Sequence, residues 1–244
     1  MTDLLTALGD RVLFAHAHPD DETISTGGTI AALLARGAAV LVVTGTRGER
    51  GEVVPGPLHA FEGTPALAPH RERELAAALT ALGRPQHAWL GEERDRRYVD
   101  SGMAWGPDGF AVAAEDAPGD ALSLAPLDEV VADLTALATA FEPTSIVSYD
   151  VRGGYGHPDH VRMREAAGAV AERLRLPLVE IVEPRVDDGP GESALDLLTL
   201  GSLAAKRAAM TAHASQLTLD GDDFVLSGGQ RHPVGVVERY RSAR

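Results

Sequence analysis

The chain has 244 residues, 44% hydrophobic and 24% charged, the profile of a globular α/β protein with one domain over residues 1–244 and a core that stands without staples. Cysteine is absent, which excludes disulfides and thiolate metal sites and restricts any transition-metal site to His and Asp/Glu ligands. A formal net charge of −14, with Lys206 as the only lysine, excludes the basic face of a nucleic-acid binder.

The opening MTDLLTALGD is acidic and lacks the basic-then-apolar order of a signal peptide. No apolar run approaches the roughly 18 residues that span a bilayer, so no membrane span and a cytoplasmic location are expected. RVLFAHA, residues 11–17, predicts a first strand, and residues 26–37 a helix with Ile30, Leu33 and Leu34 on one side and Gly37 as its stop. AVLVVT, residues 39–44, predicts the second strand. Residues 70–83 form an amphipathic helix pattern carrying Leu75, Leu79 and Leu82 on one stripe, and 87–91 a short strand. A helix over 127–141 stops at Pro143, followed by a strand over 144–150, a helix over 158–174, a strand over 178–182 and a late helix over 202–217. Strands alternating with helices predict βαβ units and a largely parallel sheet. Residues 48–69 and 100–126 are rich in Gly, Pro and Ala, and loops of that length tend to be functional or mobile. No internal boundary is visible, although composition loosens after about residue 184.

The chemistry lies at two strand ends. AHPDDE, Ala17 to Glu22, crowds acids and a histidine where the first strand stops, and such carboxylates need either solvent or a counter-cation. Strand carboxyl ends are where open α/β sheets bind ligands. In SYDVRGGYGHPDH, Ser148 to His160, Pro158 suits a first helical position. His157 then falls at the cap, with His160 on the same face. Asp159 in the first turn offsets the helix dipole, and RGGYG places flexible backbone beside the hydroxyl of Tyr155. His18, Asp21 and His160 together form a set that suits catalytic zinc with one site left for water, and iron(II) as well. Asp20 is then the general base, and His157 an acid or oxyanion stabiliser.

AHPDDE followed by GYGHPDH resembles the LmbE-like, or PIG-L, family of metal-dependent N-deacetylases. VVTGTRGERGE, YVDSGM and KRAAMTAHASQ resemble further family stretches in their usual order, and DSGM with RGGYGHPDH is similar to the mycothiol-pathway members, which act on an N-acetylglucosaminyl inositol. The resemblance implies a Rossmann-like fold, Zn2+ with Fe2+ as an alternative, and release of acetate from a small amino-sugar substrate. It also implies that His18, Asp21 and His160 are the metal ligands and Asp20 the general base. His157 would stabilise the oxyanion or protonate the leaving amine, with Asp159 orienting its ring. Tyr155 corresponds to a mobile tyrosine that contacts the scissile carbonyl, and Arg71, Asp100 and Met103 to substrate-holding positions. The part after about Arg185 does not align with the mycothiol-type enzymes, which leaves the inositol preference open. It leaves open a thiol-conjugate amidase or a natural-product sugar deacetylase, and a homo-oligomer.

Other candidates carry blander readings. His16 shares a strand face with His18 and is read as a satisfied strand histidine or a support behind the site. Glu22 is read as either support for the site or a solvated acid. His213, with Lys206 and Gln216 on the late helix, is read as a structural network. Arg47 either supports the site carboxylates or is solvated, and Trp89, Trp105 and Tyr98 are read as packing. Two other classes compete: a non-catalytic sugar- or nucleotide-binding Rossmann protein, and a phosphoesterase, which would want more cationic groups around the site.

Overall fold

A computed structural model describes residues 4–107, 109–182 and 192–243. In chain order the strands are β1 (Arg11–His16), β2 (Ala39–Thr44), β3 (Gln86–Trp89), β4 (Met103–Trp105), β5 (Ala111–Ala113) and β6 (Ser145–Ser148). They continue as β7 (Leu178–Ile181), β8 (Glu192–Asp196), β9 (Leu217–Asp220), β10 (Asp223–Leu226), β11 (Arg231–Pro233) and β12 (Val237–Ser242). The helices are α1 (Leu4–Leu8), α2 (Asp21–Ile24), α3 (Gly27–Ala35), α4 (Leu67–Ala81), α5 (Leu127–Phe141), α6 (Pro158–Leu174), α7 (Leu197–Leu200) and α8 (Leu203–Ala212).

The main sheet has the order β3-β2-β1-β6-β7-β12-β8. From β3 to β7 the strands are parallel, and β12 pairs antiparallel with both β7 and β8. The α/β, mostly parallel architecture expected from the alternating pattern is therefore present. Along β1 the side chains alternate between two cores, as a pleated strand buried on both faces requires. Leu13 and Ala15 pack with Leu134 and Leu137 of α5 and with Met163 and Val170 of α6. Val12 and Phe14 pack with Ile30 and Leu33 of α3, Leu75 and Leu79 of α4, and Ala209 of α8. Each such fully buried large side chain contributes about 1.5–3 kcal/mol relative to exposure.

The chain runs outward from β1 to β2 and β3, then returns to β6 on the other side of β1. Strand order thus reverses between β1 and β6, and the carboxyl ends of these neighbours bracket a crevice, the usual ligand position in such sheets. The two acid-histidine motifs leave from those two ends.

Several expectations are corrected. α4 starts at Leu67, because Pro69 is tolerated in a first turn. The late helix stops at Ala212 rather than reaching residue 217. There His213, Ser215 and Gln216 form buried side-chain hydrogen bonds that compete with further helical turns. Within 100–126, β4 and β5 pair as an antiparallel hairpin. Among the described residues after 191, β9 to β11 make a small antiparallel sheet and β8 and β12 extend the main one. Among the described residues, no helix is long and apolar enough to cross a membrane.

Candidate metal centre

β1 ends at His16, and the chain turns immediately so that His18 and Asp21 face the same point. The Nδ1 of His18 lies 3.5 Å from Asp21 Oδ2, held by a hydrogen bond of 2.9 Å from the His18 backbone N–H to that oxygen. Across the crevice, His157 caps α6 and Pro158 opens it, so His160 projects from the first turn toward the same point. Its Nε2 is 3.2 Å from His18 Nδ1 and 3.4 Å from Asp21 Oδ2. Three donor atoms therefore form a nearly equilateral triangle. A tetrahedral zinc with ligands at 2.0–2.1 Å needs edges of about 3.3 Å, so the residues present fit such an ion.

The hydrogen bonds behind the two rings set their tautomers. His160 Nδ1 lies 3.2 Å from the carbonyl oxygen of Gly153, to which it must donate, leaving a lone pair on Nε2. His18 Nε2 lies 3.1 Å from Asp159 Oδ2 and donates there, so Nδ1 offers the lone pair at the triangle. Two lone pairs facing each other beside a carboxylate demand a cation or a proton between them. Burial opposes charge on His18, but Asp100, Asp159 and Asp21 outweigh it and raise its pKa well above the ordinary imidazole value.

His157 differs. Its Nδ1 accepts the backbone N–H of Asp159 at 3.2 Å, so Nε2 carries the hydrogen and acts as a donor. Burial, reinforced by His18 and His160, pushes its pKa down to about 2 and keeps the ring neutral. Asp159 was expected to orient this ring; its backbone N–H bonds His157 Nδ1, and its Oδ2 lies 4.0 Å from that atom. The carboxylate instead binds His18 and accepts from the backbone and hydroxyl of Ser101. Burial opposes its ionisation, but the hydrogen bond and charge of His18, with His157 and Ser101, together outweigh it and its pKa falls to about 2. Asp159 therefore orients His157 through its backbone and His18 through its side chain.

Tyr149 is a residue that sequence reasoning passed over. Its hydroxyl accepts from Ala17 N–H at 2.7 Å and donates to Asp21 Oδ2 at 2.6 Å, while its ring stacks on His160 at 4.0 Å. Burial and the nearby Asp21 hold the phenol well above its ordinary pKa, so it stays a donor. Ser101, inside the DSGM run, is the other such residue. Its place inside a run already singled out was the available signal.

Asp20 precedes Asp21 at the start of α2 with φ 107°, a conformation that costs a non-glycine residue about 1–3 kcal/mol. Its carboxyl makes no cap hydrogen bond to α2. Partial burial, and then the neighbouring Asp21, push its pKa up to about 7. Tyr155, 36% exposed, lies at the rim with its ring 5.1 Å from that of His160.

Asp100 is buried, with Oδ1 3.7 Å from His18 Nε2. Met103 is half-buried in β4. Buried Arg71 braces the loop after β2, donating to the carbonyls of Gly48 at 2.6 Å and Glu52 at 2.9 Å. Its Nε is buried without a partner among the described residues. Arg47 turns away from the site, toward Glu72 and over the Trp89 ring. His16 bonds Thr26 at 3.0 Å behind the crevice. Besides the His18–Asp21–His160 triangle, His18, His157 and His160, and His18, Asp100, His157 and Asp159, also bring potential donors within reach of one another. A His/Asp cluster able to hold a divalent metal is therefore present.

The GlcNAc-PI de-N-acetylase (PIG-L) family model matches residues 13–171, and the chain belongs to this family. The chain is 38% identical to a 1D-myo-inositol 2-acetamido-2-deoxy-alpha-D-glucopyranoside deacetylase of Kineococcus radiotolerans, over 95% of this chain and 76% of that protein. A deacetylase of the same description from Streptomyces avermitilis is 37% identical, over 96% and 92% of the two chains. Among solved structures, a deacetylase–teicoplanin complex from teicoplanin biosynthesis aligns with a TM-score of 0.59 at 21% identity, covering 95% of this chain and 97% of that one. The 4-carboxy-2-hydroxymuconate hydratase GalB of Pseudomonas putida aligns with a TM-score of 0.56 at 20% identity, covering 85% and 80%. One fold thus carries different reactions, so the structural likeness defines the fold and the site must define the chemistry.

Proposed function

We propose that this chain is a zinc-dependent N-deacetylase that hydrolyses the acetamido group of an N-acetylglucosaminyl compound, with an N-acetylglucosaminyl inositol as the favoured substrate. The observation that carries this reading is the triangle of His18 Nδ1, Asp21 Oδ2 and His160 Nε2, with edges of 3.2–3.5 Å and both imidazole lone pairs turned inward. The alternative donor sets fit less well, because His157 Nε2 carries a hydrogen and His18 Nε2 donates to Asp159. Iron(II) satisfies the same donors. A dication bound there supplies Lewis-acid polarisation of the amide carbonyl and lowers the pKa of the attacking water.

The residues of the chain supply the rest. Asp20, with its pKa pushed up to about 7, accepts the proton of the attacking water. The neutral Nε2–H of His157 donates to the carbonyl oxygen as negative charge develops there. The C–N bond then breaks, acetate forms, and the proton taken by Asp20 passes to the leaving amine. Tyr155 at the rim closes over the carbonyl. Arg71, Asp100 and Met103 are assigned to holding the sugar. The inositol preference is supported by the relatives that share 35–38% identity across nearly the whole chain.

The test is an assay for new primary amine and acetate from an N-acetylglucosaminyl inositol, with added zinc or iron(II). A panel of N-acetylglucosamine, a thiol-conjugate amide and an acylated natural-product sugar runs beside it. Asp20→Asn is expected to bind metal normally and lose about 10²–10⁴-fold in turnover. Full turnover by that variant contradicts the base assignment.

A further inference from the structure

The C-terminal part of the chain holds a buried polar relay that ends on Asp20. The Asp20 backbone N–H, at the strained positive φ, donates to Glu22 Oε2 at 2.9 Å, which closes the turn on itself. The other oxygen of Glu22 binds His213 Nε2 at 2.7 Å and accepts from the Thr23 hydroxyl. The second ring nitrogen of His213 meets the Gln216 amide at 3.0 Å. Glu22 and His213 have no exposed surface, so solvent cannot replace either partner.

The far end of this relay is fixed. His213 caps α8 at its C-terminus, and the turn that follows is tied to α4 through Ser215, whose N–H and hydroxyl both donate to Glu74 at 2.7 and 2.6 Å. The carbonyl of Ser215 also accepts from Val54 N–H at 2.9 Å, fixing the loop after β2 to the same turn. A rigid anchor 191 residues away in sequence therefore sets where Glu22 sits, and Glu22 sets the backbone of Asp20.

We infer that Glu22 and His213 are positioning residues for the reaction, holding the Asp20 backbone at positive φ so that its carboxylate faces the attacking water. The inference rests on the reading of Asp20 as general base. Without the His213 donor, the buried Glu22 carboxylate keeps only the Thr23 hydroxyl on that oxygen, and it turns away from Asp20. Asp20 N–H then loses its acceptor, and the residue relaxes toward negative φ, where its carboxylate points elsewhere. A misplacement of about 1 Å in a reacting group costs on the order of 10²-fold in rate. The ligand atoms are held separately, by Tyr149, Gly153 and Asp159, so metal binding is unaffected.

The experiment is a double-mutant cycle on the zinc-loaded full chain. His213→Leu is expected to lower kcat about 10²-fold with KM and zinc stoichiometry within twofold of the parent. His213→Gln, whose amide can place a donor near the lost Nε2, is expected to recover most of that loss. In the Asp20→Asn background, His213→Leu is expected to lower the residual turnover less than twofold, because its target is already gone. Should His213→Leu fail to fold, Glu22→Gln takes its place in the cycle. Asp20 and His213 approach different oxygens of Glu22, and the amide of Glu22→Gln offers an acceptor on one side only, so the same pattern is expected. An equal loss in both backgrounds, or parental kcat in both His213→Leu and Glu22→Gln, overturns the inference alone. Full turnover in Asp20→Asn overturns the base assignment and this inference with it.

Discussion

Tyr149 binds Asp21 from behind, with its hydroxyl 2.6 Å from the Oδ2 that faces both site histidines. The same hydroxyl accepts the N–H of Ala17, so one side chain ties the end of β6 to the turn after β1 and aims the carboxylate between them. Partners that orient a ligand in this way typically carry 10–100-fold in metal affinity. Tyr149→Phe keeps the ring stacked on His160 but leaves Ala17 N–H unpaired in the interior, a cost of about 1–3 kcal/mol. Zinc affinity, measured by competition with a chromophoric chelator, is expected to fall by about 10–100-fold. Unchanged affinity would mean that Asp21 needs no support from Tyr149.

Gly153 has φ 68° and gives its carbonyl to His160 Nδ1. A Cβ there would stand 2.8 Å from the N of Val161 and 2.9 Å from the Cβ of His160. Gly153→Ala therefore meets both a backbone penalty and a collision with Val161 N and the His160 Cβ from which the ring hangs. Zinc affinity is expected to drop at least about tenfold, with loss of more than about 1 kcal/mol of stability in urea denaturation. Retention of both would place His160 under other control.

The raised pKa of His18 makes a signed prediction for the metal-free protein. Burial lowers that pKa, but Asp100, Asp159 and Asp21 raise it further, so the folded value exceeds the unfolded one of about 6.5. Protonated His18 accordingly stabilises the metal-free fold fully below about pH 6.5, and this contribution is lost as pH rises through the raised value. Zinc requires the deprotonated Nδ1, so its binding strengthens in the same direction and releases a proton. Thermal unfolding of chelator-treated and zinc-loaded protein, compared between about pH 6.5 and 9, is expected to show a gap that widens with pH. A constant gap would show that no proton competes with the metal at this position.

Glu238 concerns the fold alone. Its carboxylate accepts from Gly28 N–H at 2.9 Å and Thr29 N–H at 2.8 Å at the start of α3, and pairs with Lys206 Nζ at 2.9 Å, all buried. An anion at a helix N-terminus is favourable, and here the protein supplies its own. Glu238→Ala strands the Lys206 charge and two backbone donors, so urea denaturation is expected to show a loss of about 3–5 kcal/mol. A loss below about 1 kcal/mol would contradict the account of this pair.

Much of this was legible in the residues. β2, α5 and α6 fall where AVLVVT, LDEVVADLTALATAF and PDHVRMREAAGAVAERL predict them, because strong periodicity and Pro stops leave one reading. The convergence of His18, Asp21 and His160 followed from their places at adjoining strand ends. The strands of the last fifty residues were not legible, since β8 and β11 expose most of their side chains and carry no alternating apolar signal. Tyr149 and the Glu22–His213 pair were equally hidden, because contacts across 128 and 191 residues leave no local pattern.

The direct test of the central claim is anomalous diffraction at the zinc edge from crystals of protein loaded with one equivalent of zinc. The account predicts a single peak about 2.0–2.2 Å from His18 Nδ1, Asp21 Oδ2 and His160 Nε2. A peak held instead by His157, Asp100 and Asp159, or no peak at these residues, would contradict it.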